Sequence, residues 1–164
     1  MAKSLHGIVR GLAAGAFASL FMLAGAGAAH ASSFHGAVAT KSHYGVIFQI
    51  DTGGNKDIKK TLTNIENILQ DPRLKGKVTV ELIANSKGFD VYVKHNGFKG
   101  KLLKLQKEGV ILAQCANTLR ELHVDRHDLY SFIHIVPSGM GEIAIREAQG
   151  WAYIHPSPPR PNQL

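Results

Sequence analysis

The chain has 164 residues, of which 45% are hydrophobic, 19% charged and 7% aromatic, with a formal net charge of +7 and a single cysteine. These figures suit one compact domain with a sizeable core. They exclude a disulfide-stapled mini-protein, a coiled coil and a disordered charged tail.

Residues 1–31 have the composition of an export signal. Lys3 and Arg10 mark a basic start, Gly11 to Ala29 carries no charge, and Ala29-His30-Ala31 offers the small-x-small pattern of a cleavage site before Ser32. The apolar stretch is nearly long enough for a membrane helix, but Gly and Ala dominate it and make it only mildly apolar. The expectation is cleavage, export to the periplasm or beyond, and no stable membrane insertion afterwards. No cysteine follows the site to take a lipid anchor. Removing this segment takes away two basic residues and no acidic ones, so +7 becomes +5 over residues 32–164. The remaining lysines are scattered, as on solvated faces, with no interleaved aromatics, which together with export argues against nucleic acid as a partner.

After a polar lead-in (32–43), Tyr44 to Ile50 is a mostly continuous apolar run that predicts a strand buried on both faces, ending in the turn Asp51-Thr-Gly-Gly-Asn55. Ile58, Leu62, Ile65 and Leu69 form one stripe of an amphipathic helix closed by Asp71-Pro72. Val78 to Ala84 predicts a second strand and Asn85 to Gly88 a turn. Phe89 to Val93 alternates like a strand but is too short to decide. Phe98, Leu102 and Leu105 mark a helix that stops at Glu108-Gly109. Val110 to Ala113 is a third strand, with Cys115 just after it and Asn117 as the N-cap of a following helix. Ile133 to Val136 is a fourth strand, Glu142 to Gln149 a helix and Trp151 to Ile154 a fifth strand. Four of the six prolines fall within Pro156 to Pro161, giving an extended tail over 157–164.

Strands and helices alternating in this way predict a parallel sheet covered by helices on both faces, a three-layer α/β/α architecture. Working sites in such sheets lie beyond the carboxyl ends of the strands, which selects the loops 51–56, 85–88, 114–118 and 137–141. Cys115 is the strongest candidate, because backbone N–H groups at a strand-to-helix junction stabilise a thiolate. The alternative is a buried, inert thiol. Gly53-Gly54-Asn55-Lys56 lacks P-loop spacing and reads as a tight turn. Pro137-Ser-Gly-Met-Gly141 opens a helix, with anion binding a weaker option than a plain turn. His123 and His127 are four apart but lack a zinc pattern, so surface histidines are expected and no metal or cofactor is assigned. His134, inside a strand, reads as a core histidine.

From Tyr44 to Pro156 the ordered pieces resemble the DsrE/DsrF-like family, in its exported single-domain branch. The pieces are Val46-Ile-Phe-Gln-Ile-Asp51, Asn64-Ile-Glu-Asn-Ile-Leu69, Val80-Glu-Leu-Ile-Ala84, Gly109-Val110, Cys115-Ala-Asn-Thr-Leu119, Asp125-Arg-His-Asp-Leu129, Val136-Pro-Ser-Gly139 and Gly150-Trp-Ala-Tyr-Ile154. Ala116 stands where the family more often has Gly, and Asn85-Ser86 where it more often has His-Gly. The resemblance implies five parallel strands, helical structure over Phe89 to Lys94, and a homo-oligomer, commonly a trimer or hexamer. It also implies sulfur carriage as a persulfide on Cys115, with donor and acceptor proteins as partners. Asn117 and Thr118 then orient the bound group, with Asn85 and Gly139 as further binding residues. The alternatives are a non-catalytic oligomeric module that binds a small anion or a partner protein, and a thiol redox sensor.

Overall fold

Alternate residues of a strand point to opposite faces of the sheet, and an apolar run such as Tyr44 to Ile50 satisfies both faces only if each is covered. A computed structural model describes residues 34–156; the expected export signal and the proline-rich tail lie outside the described residues. The chain divides into two units at Gly36–Ala37. The described part of the first, Phe34 to Gly36, holds no helix or strand.

In the second unit, β1 (Tyr44–Ile50), β2 (Val78–Ala84), β3 (Ile111–Cys115), β4 (His134–Val136) and β5 (Ala152–Ile154) form one sheet in the order β4-β3-β2-β1-β5. Every pairing is parallel, with Val46 opposite Val80 and Ala152, and Leu82 opposite Leu112. One face carries Val46, Phe48, Ile50, Val80, Leu82 and Leu112 against Ile58, Leu62 and Ile65 of α1 (Asn55–Gln70) and Leu102 and Leu105 of α2 (Lys99–Lys107). Full burial of each such side chain contributes about 1.5–3 kcal/mol. Tyr92, fully buried there, donates its hydroxyl to the Leu82 carbonyl at 2.7 Å, which satisfies its only polar atom.

The opposite face carries Ile47, Ile83 and Ala113, packed against Ile143 of α4 (Gly139–Ala148) with Val136 and Trp151. Glu81 projects into this layer at 1% exposure and pairs with Arg146 of α4 at 2.7 Å. The Arg146 guanidinium also lies 4.2 Å from the Trp151 ring centroid. Helices thus cover both faces, as the alternation predicts. No helix among the described residues is long and apolar enough to cross a membrane.

Several local expectations shift. Phe89 to Lys94 is not one helix: a 3-10 helix spans Ser86–Tyr92 and Val93 is already extended. The last helix begins at Gly139 rather than Glu142, because Ser138 caps it by accepting the Gly141 N–H at 3.2 Å. β3 runs through Cys115, and α3 (Ala116–Glu121) starts at once, so Cys115 and not Asn117 occupies the N-cap position. His134 is exposed, not a core residue: β4 is an edge strand of three residues, and its burial falls to that of a surface segment.

Candidate functional site

The carboxyl ends of β2 and β3 and the start of α4 meet at Cys115. Gly139, the first residue of α4, makes the approach possible: a Cβ there would lie 3.3 Å from the Cβ of Cys115, 3.4 Å from that of Asn85 and 3.5 Å from Cγ1 of Ile83. Three of the four carboxyl-end loops therefore contribute to one place. The fourth, Asp51 to Lys56, packs at Gly53 against Lys87 and Asp90. The carboxylate of Asp90 fills the space in front of Gly53, and Gly54, at φ 111°, serves as the N-cap of α1.

Cys115 is 5% exposed, Thr118 is 4% exposed, and Asn85 and Asn117 are half-buried. Burial pushes the Cys115 thiol up, since it disfavours the charged form. The N–H of Gly139, the N–H and hydroxyl of Thr118 and the N–H of Asn117 more than offset this, and the pKa lies below the ordinary thiol value. The neutral thiol closes no cap hydrogen bond in α3; these donors act on the thiolate, as they would on any N-cap acceptor.

The second layer of the site is a hydrogen-bonded row. Ser86 donates its backbone N–H to Thr118 Oγ1 at 2.9 Å, from a left-handed conformation at φ 47° that is uncommon for serine. Asn85 Nδ2 donates to Ser86 Oγ at 3.2 Å, and Asn85 Oδ1 accepts from Gln49 Nε2 at 2.8 Å. Gln49 Oε1 accepts a short hydrogen bond from the Tyr153 hydroxyl. Sequence reasoning finds Cys115, Thr118, Asn117, Asn85 and Gly139 and takes in Ser86 as part of the 85–88 loop, but passes over Gln49 and Tyr153. The available signal is Gln49 itself, a polar residue inside an apolar strand run, 7% exposed.

Beside this row, His155 Nε2 meets Asp51 Oδ1 at 2.9 Å at the ends of β5 and β1. His123 and His127 are exposed, and among the described residues no group of three or more His, Cys, Asp or Glu side chains could hold a metal ion. A cavity of about 300 Å³ lies elsewhere, lined by Val38, Tyr44, Val46, Ile68, Arg73 and Ile154 among others. Its one charged lining residue, Arg73, is paired with Asp71, so it offers apolar surface but no nucleophile.

No family model matches the chain, and no curated protein matches it. Among solved structures it is similar to MTH1491 from Methanobacterium thermoautotrophicum, a protein of unknown function. The identity is 34%, the match covers 69% of this chain and 99% of that one, and the TM-score is 0.64. With that identity over nearly the whole of the solved protein, the chain belongs to the same family as MTH1491.

Proposed function

We propose that the protein handles sulfur through a persulfide on Cys115, in the manner of DsrE-like carriers, and that it does so after export. The reading is carried by the donor set around Cys115, three N–H groups and one hydroxyl, which favours the thiolate in spite of burial. The thiolate is the nucleophilic form of cysteine. In the proposed step the thiolate attacks the outer sulfur of a sulfane donor such as thiosulfate. The new S–S bond forms on Cys115, the donor's S–S bond breaks, and sulfite leaves with the electron pair. The product is a persulfide anion, so the negative charge stays at the same group of donors and no outside oxidant or reductant is consumed. A lone cysteine suffices for carrying sulfur but not for an intramolecular dithiol cycle.

Export rests on the basic, apolar and small-x-small pattern of residues 1–31. A homo-oligomer, trimer or hexamer, is part of the same reading. Met140 and Ile145 on α4 are 53% and 55% exposed, and Tyr153, on the sheet face that α4 covers, is 41% exposed. The test of function is intact mass after incubation with thiosulfate: the wild-type chain gains one sulfur atom that dithiothreitol removes, and Cys115→Ala does not. Equal absence of the adduct in both sinks the proposal.

One observation favours a second reading, a binding module in which Cys115 is incidental: the residue is 5% exposed. In that case the native thiol resists alkylation and reacts only on denaturation.

A further inference from the structure

The polar contacts behind Cys115 are ordered as well as numerous. Tyr153 donates to Gln49, Gln49 to Asn85 and Asn85 to the Ser86 hydroxyl, and the backbone N–H of the same Ser86 donates to Thr118 Oγ1. The row begins on the edge strand β5, passes β1 and the end of β2 and finishes on α3 beside Cys115, so it spans three of the five strands. Two of its members have few other ways to bond. Gln49 is 7% exposed and Thr118 4%, so neither has ready access to water. The Ser86 N–H can only donate, which leaves the Thr118 hydroxyl as the acceptor there and directs its own proton elsewhere. Burial, together with the carboxylates of Asp51 and Glu147, keeps the Tyr153 hydroxyl protonated and hence a donor. An amide has one donating and one accepting end, so the group on one side decides which way round it sits.

We propose that Tyr153 and Gln49 are positioning residues for Cys115, holding the Asn85–Ser86 turn so that the Thr118 hydroxyl is presented to the sulfur. This rests on the reading of Cys115 as the reactive centre. Tyr153 and Gln49 touch neither the sulfur nor any group it would react with. Their part is to fix the orientation of the Gln49 and Asn85 amides and through them the left-handed Ser86 that engages Thr118.

Because the chain has one cysteine, its thiolate can be titrated by ultraviolet absorbance as the difference from a Cys115→Ala chain in the same background. This readout does not depend on whether a reagent reaches the sulfur. Tyr153→Phe removes one hydroxyl from a side chain that is 41% exposed, so the variant is expected to fold. The expected result is a thiol midpoint moved toward alkaline pH, with a roughly three- to tenfold lower thiolate fraction below the midpoint. Gln49→Leu moves it in the same direction. Thr118→Ser keeps the sensitivity to Tyr153→Phe, whereas in a Thr118→Val background Tyr153→Phe has no further effect, since the row then has no hydroxyl to present. An unmoved midpoint in Tyr153→Phe, or equal shifts in the Thr118→Val and wild-type backgrounds, overturns the proposal. Failure of the sulfur-carrier reading is distinct: it appears as no sulfur adduct on the wild-type chain, whatever the titration of the variants shows.

Discussion

Gly139 lies close against Cys115, and a Cβ at 139 would come within 3.3 Å of the cysteine Cβ, so that one of the two would have to shift by a few tenths of an ångström. The same residue starts α4 and supplies an N–H to the thiolate, so its lack of a side chain is what brings the helix and the sulfur together. Gly139→Ala is expected to push α4 away from the end of β3 and to cost about 1–3 kcal/mol by overpacking. The thiol midpoint then moves toward alkaline pH as the Gly139 N–H recedes. Gly100, in α2 with nothing within 4 Å of its Cβ position, is the control. Gly100→Ala is expected to stabilise the chain by about 0.5–1 kcal/mol through helix propensity. Urea unfolding of both variants checks the pair, and a Gly139→Ala chain as stable as Gly100→Ala refutes the tight-contact account.

Thr118 acts on the sulfur with both its N–H and its hydroxyl, and only the hydroxyl is removable by substitution. A thiol whose folded pKa is depressed reacts as thiolate at lower pH than a free one. Thr118→Val keeps size and backbone but removes the O–H, so the Cys115 pKa rises. Alkylation by iodoacetamide slows near neutral pH and recovers at alkaline pH, where both chains are fully ionised. Thr118→Ser retains the wild-type profile. The rate is followed across pH by mass spectrometry, and a loss in Thr118→Val that persists at alkaline pH points to altered access rather than to ionisation.

The regular part of the fold is legible in the sequence because its signals are periodic and local. The run Tyr44 to Ile50 and the stripe Ile58, Leu62, Ile65 and Leu69 identify β1 and α1, and the limits of β1 and β2 coincide with their apolar runs. What periodicity does not reach is set by caps and neighbours. The start of α4 depends on Ser138 and the N-cap of α3 falls on a cysteine, a residue with no strong capping preference. The exposure of His134 depends on β4 being an edge strand, which is a property of sheet order and not of the segment. Cys115, Asn85 and Gly139 are selected by the rule that sites gather at carboxyl ends. Gln49 and Tyr153 escape that rule because they lie within strands and meet across 104 residues of sequence.

Gly45 has a purely structural demand. Its Cβ position is occupied by the Trp151 indole, which covers β1 just before β5 begins. Gly45→Ala therefore displaces Trp151 and loosens the Arg146 guanidinium that stacks on it. A loss of about 1–3 kcal/mol is expected, accompanied by a red shift of the fluorescence of the single tryptophan as water reaches the ring. A destabilised chain with unchanged emission refutes displacement of the indole as the cause.

Arg146 is the partner that permits a carboxylate at the centre of the sheet. Burial raises the Glu81 pKa, the Arg146 charge draws it down, the Glu142 charge raises it, and the balance leaves it above the ordinary carboxylate value. The sign follows from linkage: the folded state holds the Glu81 proton more tightly than the unfolded chain. Glu81 therefore favours folding below the ordinary carboxylate pKa, and that contribution is lost as pH rises through the raised folded value. Arg146→Met removes the compensating charge while keeping the apolar stem, leaving Glu81 buried beside Glu142 with no cation. The expected loss is about 3–5 kcal/mol near pH 7 and far less near pH 4, where Glu81 is already protonated. Glu81→Gln in the Arg146→Met background restores most of the loss near pH 7, because the buried group is then neutral. Urea unfolding of the single and double variants at the two pH values separates the electrostatic account from simple loss of packing, since a packing defect lowers stability equally at both.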